Sequence, residues 1–316
     1  MKSLVTGGTG FVGGYVAEVL LEEGHAVRVF TRRPGLPERL AAAEAYRGDL
    51  EEPSTVVNAM EGMDVVYHVG EVRNTSRAQS AKNLRLVQTI AEAAGEKGVK
   101  RLVFVSSITV AGIPREVPAS EETEPLSSLG DHYTAYKREA ERLLSESPGI
   151  EYSVIRPAPV YGPGSRFMRR VVDAVDSLGS LGFPFIGNAE NLAPLVYVKD
   201  LARAIYLAGL KEGAAGQVMN LTDGLRHSWL DFLKAISEAL GKKLKVLPLS
   251  PLALRFPSIF IDLFSGALGL ELDLTHYVDY FSSDVFFNNS RARALLGWEP
   301  RYSLEEGVRE MINSNV

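Results

Sequence analysis

Glycines at positions 7, 8, 10, 13 and 14 separate two stretches of opposite character. Before them, Leu4 and Val5 read as the end of a buried strand. After them, Phe11 to Leu21 is apolar at helical spacing, with Val12, Val16, Val19 and Leu20 on one side. Gly8, Gly10 and Gly13 fit G-x-G-x-x-G at the junction. The first glycines permit a tight strand-to-helix turn without a Cβ clash. Gly10 lets the backbone approach a pyrophosphate, whose charge meets the free N–H groups and positive dipole end of the helix. Gly13 allows the helix to pack closely on the strand. A bare motif is weak evidence. One that follows a strand, opens a helix and starts a βαβ unit points to a dinucleotide site rather than a ligand-free turn.

The same order repeats downstream. Strands are expected at Ala26–Thr31, Met63–Val69, Arg101–Ser106, Tyr152–Ile155 and Val218–Leu221, with a weak one at Ala45–Arg47. Helices are expected at about Ala78–Glu96 and Tyr133–Ser145. Alternating β and α implies an α/β fold, a Rossmann-type doubly wound parallel sheet covered on both faces. Its ligands bind past the carboxyl ends of the strands. Beyond Tyr161 the texture changes: Gly162-Pro163-Gly164, Gly179–Gly187 and Pro248–Gly269 are rich in Gly, Pro and large apolar residues. A smaller, irregular C-terminal substrate lobe is expected there. The division reads as 1–161 for the dinucleotide-binding domain, with 195–222 returning to it, and 162–316 mainly for the lobe.

Composition narrows the partners. A net charge of −5 argues against nucleic acid, whose phosphates want a basic face. The absence of Cys excludes disulfides, thiolate catalysis and Cys-ligated zinc, and the histidines (His25, His132, His227, His276) show no metal-ligand spacing. Met1 leads straight into the first strand, so no signal peptide and a cytoplasmic location are expected. Pro251–Leu270 is apolar, but Arg255, Pro257 and Asp262 interrupt it as a membrane span, which needs about 20 apolar residues. It reads as pocket lining or buried lobe, with contact to a membrane surface left open.

Tyr133 and Lys137 stand at i and i+4, on one helix face. A nearby ammonium stabilises a phenolate and would lower the Tyr pKa from ~10, making Tyr133 a general acid or base. Ser106-Ser107, just past a central strand, offers a hydroxyl to hold a substrate oxygen against Tyr133. His68, at a strand end, reads as structural; His132 reads as substrate contact, cap or surface residue.

With Thr6–Gly13, Ser107 ahead of Ile108–Gly112 and Tyr133-x-x-x-Lys137, the chain resembles the extended short-chain dehydrogenase/reductase family. Gly48-Asp49-Leu50, Asn83, Arg156-Pro157 with Val160–Pro163, Tyr197–Leu201, Leu296–Pro300 and Leu304–Gly307 extend the likeness over nearly the whole chain, most weakly from about 225 to 285. The resemblance implies that Gly7, Gly8, Thr9, Gly10, Phe11 and Val12 hold the pyrophosphate, and Asp49 with Leu50 the adenine. Val69 and Gly70 would also face the cofactor, and Pro157 to Val160 would flank the nicotinamide. Lys137 would bond the nicotinamide ribose while lowering the Tyr133 pKa. Ser107 would orient the substrate oxygen, with Ser106 the second choice. One departure stands out: the family carries small residues, often Ala-Ala, where this chain has Val69-Gly70-Glu71.

Dehydratases of the family carry an Asp-Glu pair where Ile108 and Thr109 stand, and nucleotide-sugar epimerases an Asn where Pro159 stands. What remains resembles the dihydroflavonol reductase and 3β-hydroxysteroid dehydrogenase branch. The expectation is a reductase or dehydrogenase of a small, largely apolar carbonyl or alcohol. Alternatives are a nucleotide-sugar epimerase with retained NAD, using Arg166, Arg169 and Arg170 for the diphosphate, and a non-catalytic dinucleotide-binding regulator. The second strand ends in Thr31-Arg32-Arg33, with no nearby carboxylate to bond a ribose 2′-hydroxyl. A guanidinium pairs bidentately with a 2′-phosphate, so NADP(H) is expected over NAD(H), Arg32 before Arg33. A homodimer is expected through the two long helices, where Ala91, Ala93, Ala94, Ala135 and Ala140 would permit close approach.

Overall fold

The computed structural model describes residues 1–72, 76–127, 131–267 and 274–314. The opening apolar run forms β1 (Lys2–Thr6), followed by α1 (Phe11–Glu22) and β2 (Ala26–Thr31). Next come β3 (Glu44–Arg47), α2 (Pro53–Ala59), β4 (Val65–His68), α3 (Arg77–Glu96) and β5 (Arg101–Val105). A small antiparallel pair, β6 (Ile113–Pro114) and β7 (Pro125–Ser127), precedes α4 (His132–Glu146) and β8 (Tyr152–Pro157). The rest comprises β9 (Val160–Tyr161), α5 (Arg166–Leu178), β10 (Phe183–Ile186), β11 (Val196–Tyr197), α6 (Val198–Ala208) and β12 (Gln217–Leu221). After these come α7 (Trp229–Ala239), β13 (Val246–Leu249), α8 (Pro251–Ala267), α9 (Leu274–Phe281), α10 (Ser290–Leu296) and α11 (Leu304–Asn313).

Seven strands make one parallel sheet in the order β12-β8-β5-β4-β1-β2-β3. The near-continuous apolar runs of β4 and β5, buried at every position, are what a sheet covered on both faces requires. One apolar core lies under α1 and α6, the other under α2, α3 and α4. The winding reverses between β1 and β4, whose ends are paired at Thr6 and His68. A crevice opens at such a switch point.

The end of the chain is clamped to α6. Trp298 donates its indole N–H to the Asp200 carbonyl at 2.9 Å, and the Asp200 carboxylate accepts from the N–H groups of Arg301 at 3.0 Å and Tyr302 at 3.3 Å. The motif residues Asp200 and Trp298 are thus two halves of one buried contact.

Two expectations need correction. Ala91, Ala93, Ala94 and Ala140 are buried within the chain, where α3 and α4 pack on the sheet, and only Ala135 of that set is exposed. Small residues here serve intramolecular packing. The apolar run from Pro251 is also not simply core: on α8, Leu252 is 72% and Phe256 71% exposed. Residues 268–270 lie outside the described part. Among the described residues no helix is long and apolar enough to cross a membrane.

Candidate active site

The turn from β1 into α1 needs its glycines for measurable reasons. Gly7 has φ +70°, and a Cβ there would fall 2.5 Å from the Gly70 Cα. On Gly13 a Cβ would lie 2.3 Å from the Gly7 carbonyl oxygen. The first residue after β1 and the start of α1 are therefore in contact with each other and with the end of β4. Gly10 caps α1 without a side chain, leaving first-turn N–H groups to face the crevice.

That crevice is a cleft of about 1020 Å³, at the upper end of small-ligand sites and large enough for a dinucleotide. Its lining includes Gly7, Thr9, Gly10, Phe11 and Val12, then Arg32 and Arg33, Asp49 and Leu50, and Val69 and Gly70. Gly8 instead backs onto β2, where a Cβ would meet Val29 Cγ1 at 2.9 Å. Pro157 and Val160 lie at the end of β8 and in β9, outside the cleft lining. The backbone cradle, the exposed first turn and the cationic rim fit a dinucleotide diphosphate.

Sequence reasoning missed Arg39. It lines the cleft with its guanidinium 4.9 Å from the Tyr15 ring centroid. Gly14 makes the room: a Cβ there would fall 2.4 Å from Arg39 Nη2. No spacing rule signals such a contact, although an unexplained fifth glycine was its trace. Arg166 and Arg169 line this same cleft, as do Met311 and Ser314 near the chain end.

At the carboxyl ends of β4 and β5 the titratable side chains converge. Asp131 caps α4, accepting from Thr134 N–H at 2.9 Å, and so sets the helix that carries Tyr133 and Lys137. The Ser107 hydroxyl lies beside the Tyr133 phenol, whose ionised form it favours, and accepts from Thr109 Oγ1 at 3.0 Å. Ser106 is turned away, donating to Glu141, which also accepts from Arg156 in a buried ion pair. Lys137 is buried; its Nζ donates to the Val105 carbonyl at 2.9 Å and lies 3.1 Å from Glu71 Oε2. Tyr277 of α9 adds its hydroxyl to the electrostatic surroundings of Tyr133.

The expected lowering of the Tyr133 pKa is not what this arrangement produces. Burial, and after it the Glu71 charge, pushes the phenol up, while the neighbouring Ser107 hydroxyl pulls it down. Burial pulls the Lys137 ammonium down and Glu71 opposes it. His68 is structural: buried, 2.7 Å from Thr6 Oγ1 through Nδ1, and held neutral with its pKa lowered to about 3 by burial, then by Lys137. Among the described residues no cluster of His, Asp and Glu could hold a metal.

Known proteins resemble this chain over nearly its whole length. Over 332 aligned positions, 98% of this chain and 89% of the relative, the chain is 27% identical to a 3 beta-hydroxysteroid dehydrogenase/Delta 5-->4-isomerase of Mycobacterium tuberculosis. It is 27% identical, over 98% of its length and 95% of the relative's, to the 4-hydroxy-2-methyl-3-oxo-4-farnesyl-3,4-dihydroquinoline-1-oxide ketoreductase of Stigmatella aurantiaca. The crystal structure of gox2253 superposes with a TM-score of 0.82 at 26% identity, covering 99% of this chain and 97% of the other. Residues 3–222 match the NAD dependent epimerase/dehydratase family. The chain belongs to that family, within the extended short-chain dehydrogenases and reductases, and is an NAD(P)-dependent oxidoreductase.

Proposed function

We infer that this protein reduces the carbonyl of a small, largely apolar substrate with NADPH, or oxidises the corresponding alcohol. The observation that carries the reading is the placing of the Ser107 hydroxyl beside the Tyr133 phenol, on the helix whose Lys137 meets the cleft-lining Glu71 at 3.1 Å. When bound, the reduced dinucleotide supplies a hydride, with its electron pair, to the carbonyl carbon. Tyr133 gives its phenolic proton to the carbonyl oxygen and regains one from solvent. Ser107 donates to the same oxygen as negative charge develops on it. Lys137, fixed by Val105 and Glu71, would hold the nicotinamide ribose with its remaining N–H.

NADP(H) over NAD(H) is supported by three guanidiniums, Arg32, Arg33 and Arg39, along the rim of the cleft. The apolar substrate is supported by the dehydrogenase and ketoreductase relatives and by the absence of the dehydratase pair at Ile108-Thr109. Placement of Arg166 and Arg169 on the dinucleotide cleft weakens the idea that they serve a nucleotide sugar. A homodimer through the outer faces of α3 and α4 belongs to the same proposal, on the resemblance to the family.

Turnover tests the reading. The purified protein is expected to oxidise NADPH with a panel of cyclic and polyprenyl ketones and to exchange cofactor freely. Tightly retained NAD together with heat stabilisation by UDP-glucose would overturn it in favour of epimerisation.

A further inference from the structure

Glu71 occupies the place where the resemblance leads one to expect a small residue, and the fold holds it there. Gly70 before it is locked against Gly7: a Cβ on Gly70 would fall 2.7 Å from the Gly7 nitrogen. Val72 after it is gripped by the buried Asn83 of α3. The Asn83 Oδ1 accepts from Val72 N–H at 2.8 Å, and its Nδ2 donates to the Val72 carbonyl at 2.9 Å. With both flanks fixed, the Glu71 carboxylate lines the dinucleotide cleft and meets Lys137 Nζ at 3.1 Å.

We propose that Glu71 is a positioning residue and counter-ion, which keeps Lys137 charged in its buried seat and keeps Tyr133 protonated, biasing the site toward carbonyl reduction over alcohol oxidation. This rests on the reading of Tyr133 as the proton-transfer group. A lone ammonium beside a phenol favours the phenolate. An ammonium with a carboxylate at 3.1 Å is nearly neutral as seen from the phenol, whose ring centroid is 5.5 Å from Nζ. Most of the activating field is thereby cancelled. Reduction consumes the phenolic proton, whereas oxidation needs the phenolate as base, so a protonated Tyr133 serves the first direction and starves the second.

The groups facing Tyr133 support that balance. They are Lys137 and Tyr136 on its own helix, Asp131 at the helix start, Glu71 after β4, Ser107 after β5 and Tyr277 on α9. Facing Lys137 are Glu71, Glu141, the neutral His68 and the rings of Phe104, Tyr133 and Tyr136. Glu141 is already committed to Arg156 and Ser106. Glu71 is therefore the carboxylate that answers Lys137.

Glu71→Gln, which keeps the shape and removes the charge, tests the proposal in two ways. The pH at which alcohol oxidation reaches half its maximal kcat/KM is expected to fall by about one unit or more, the size of effect a charge at this range exerts on a neighbour. In the cofactor-free protein, ultraviolet titration of phenols is expected to show an earlier ionisation in Glu71→Gln that is missing from Glu71→Gln/Tyr133→Phe. A merely structural role would lower kcat and leave both pH values in place. An unmoved profile, or one displaced to higher pH, overturns the proposal. If the phenol titration moves but no ketone is turned over, the coupling stands and the reductase reading fails. If ketones are turned over and neither titration moves, the reductase reading stands and the coupling fails.

Discussion

A phenol and a guanidinium define the chemistry at the scale of single residues. Tyr133→Phe removes the proton donor and little else, because the ring keeps its place against Tyr136. Turnover is expected to fall ~10²–10⁴-fold, with the dinucleotide Kd changed less than about twofold, as read by fluorescence titration. Near-normal turnover would remove Tyr133 from the mechanism. Arg32→Ala is expected to raise the Kd for NADPH about tenfold or more and to leave that for NADH unchanged, since a charge-assisted hydrogen bond contributes about 1.5–3 kcal/mol. Arg39→Ala tests the arginine that no motif indicated. A comparable NADPH-specific loss would place its guanidinium at the 2′-phosphate rather than merely over Tyr15.

Between elements, buried charge is the stronger lever. Glu141 on α4 and Arg156 on β8 form a bidentate pair, with hydrogen bonds of 3.0 Å and 2.6 Å, nearly closed to solvent. Removing one partner strands the other. Glu141→Ala is expected to destabilise the fold by about 3–5 kcal/mol in urea titration, and Glu141→Leu/Arg156→Met to recover most of that loss. Asp223, just past β12, behaves differently. Burial lifts its carboxyl pKa to about 7, from a usual value near 3.8. The folded state then binds the proton that the unfolded chain releases, so this group's contribution to stability is intact below about pH 4 and is lost as pH rises to 7. The loss reaches up to about 4 kcal/mol. Asp223→Asn is expected to gain stability on wild type progressively over that window, and a stability difference flat with pH would refute the assignment.

For the whole molecule, the proposed dimer would cover the outer faces of α3 and α4. The alanines that suggested a helix-to-helix contact between copies are spent inside one chain. On those outer faces the exposed small residues are Ala78, Ala81 and Gly95 of α3 and Ala135 of α4, interspersed with charged side chains. Light scattering at micromolar concentration is expected to give twice the chain mass of 34.4 kDa. A value near the chain mass itself would leave the active site within one subunit.

Local pattern sufficed wherever a residue's role depends on neighbours in the chain. The glycine turn, the strands β2, β4 and β5, and the i, i+4 pairing of Tyr133 with Lys137 all have short-range causes, steric or periodic, and their boundaries are legible to within a residue or two. Charge balance was not legible in this way. Whether the Tyr133 pKa falls depends first on its burial and then on Glu71, which lies 66 positions before Lys137 and is brought to 3.1 Å from it because β4 lies beside β5. The same holds for Gly14, whose missing side chain admits Arg39, and for Pro251–Ala267, an apolar segment whose Leu252 and Phe256 stay exposed. Sequence periodicity reports which face a residue occupies. Only the packed chain decides what stands across from that face, because Coulomb and contact energies depend on distance in space and not along the chain.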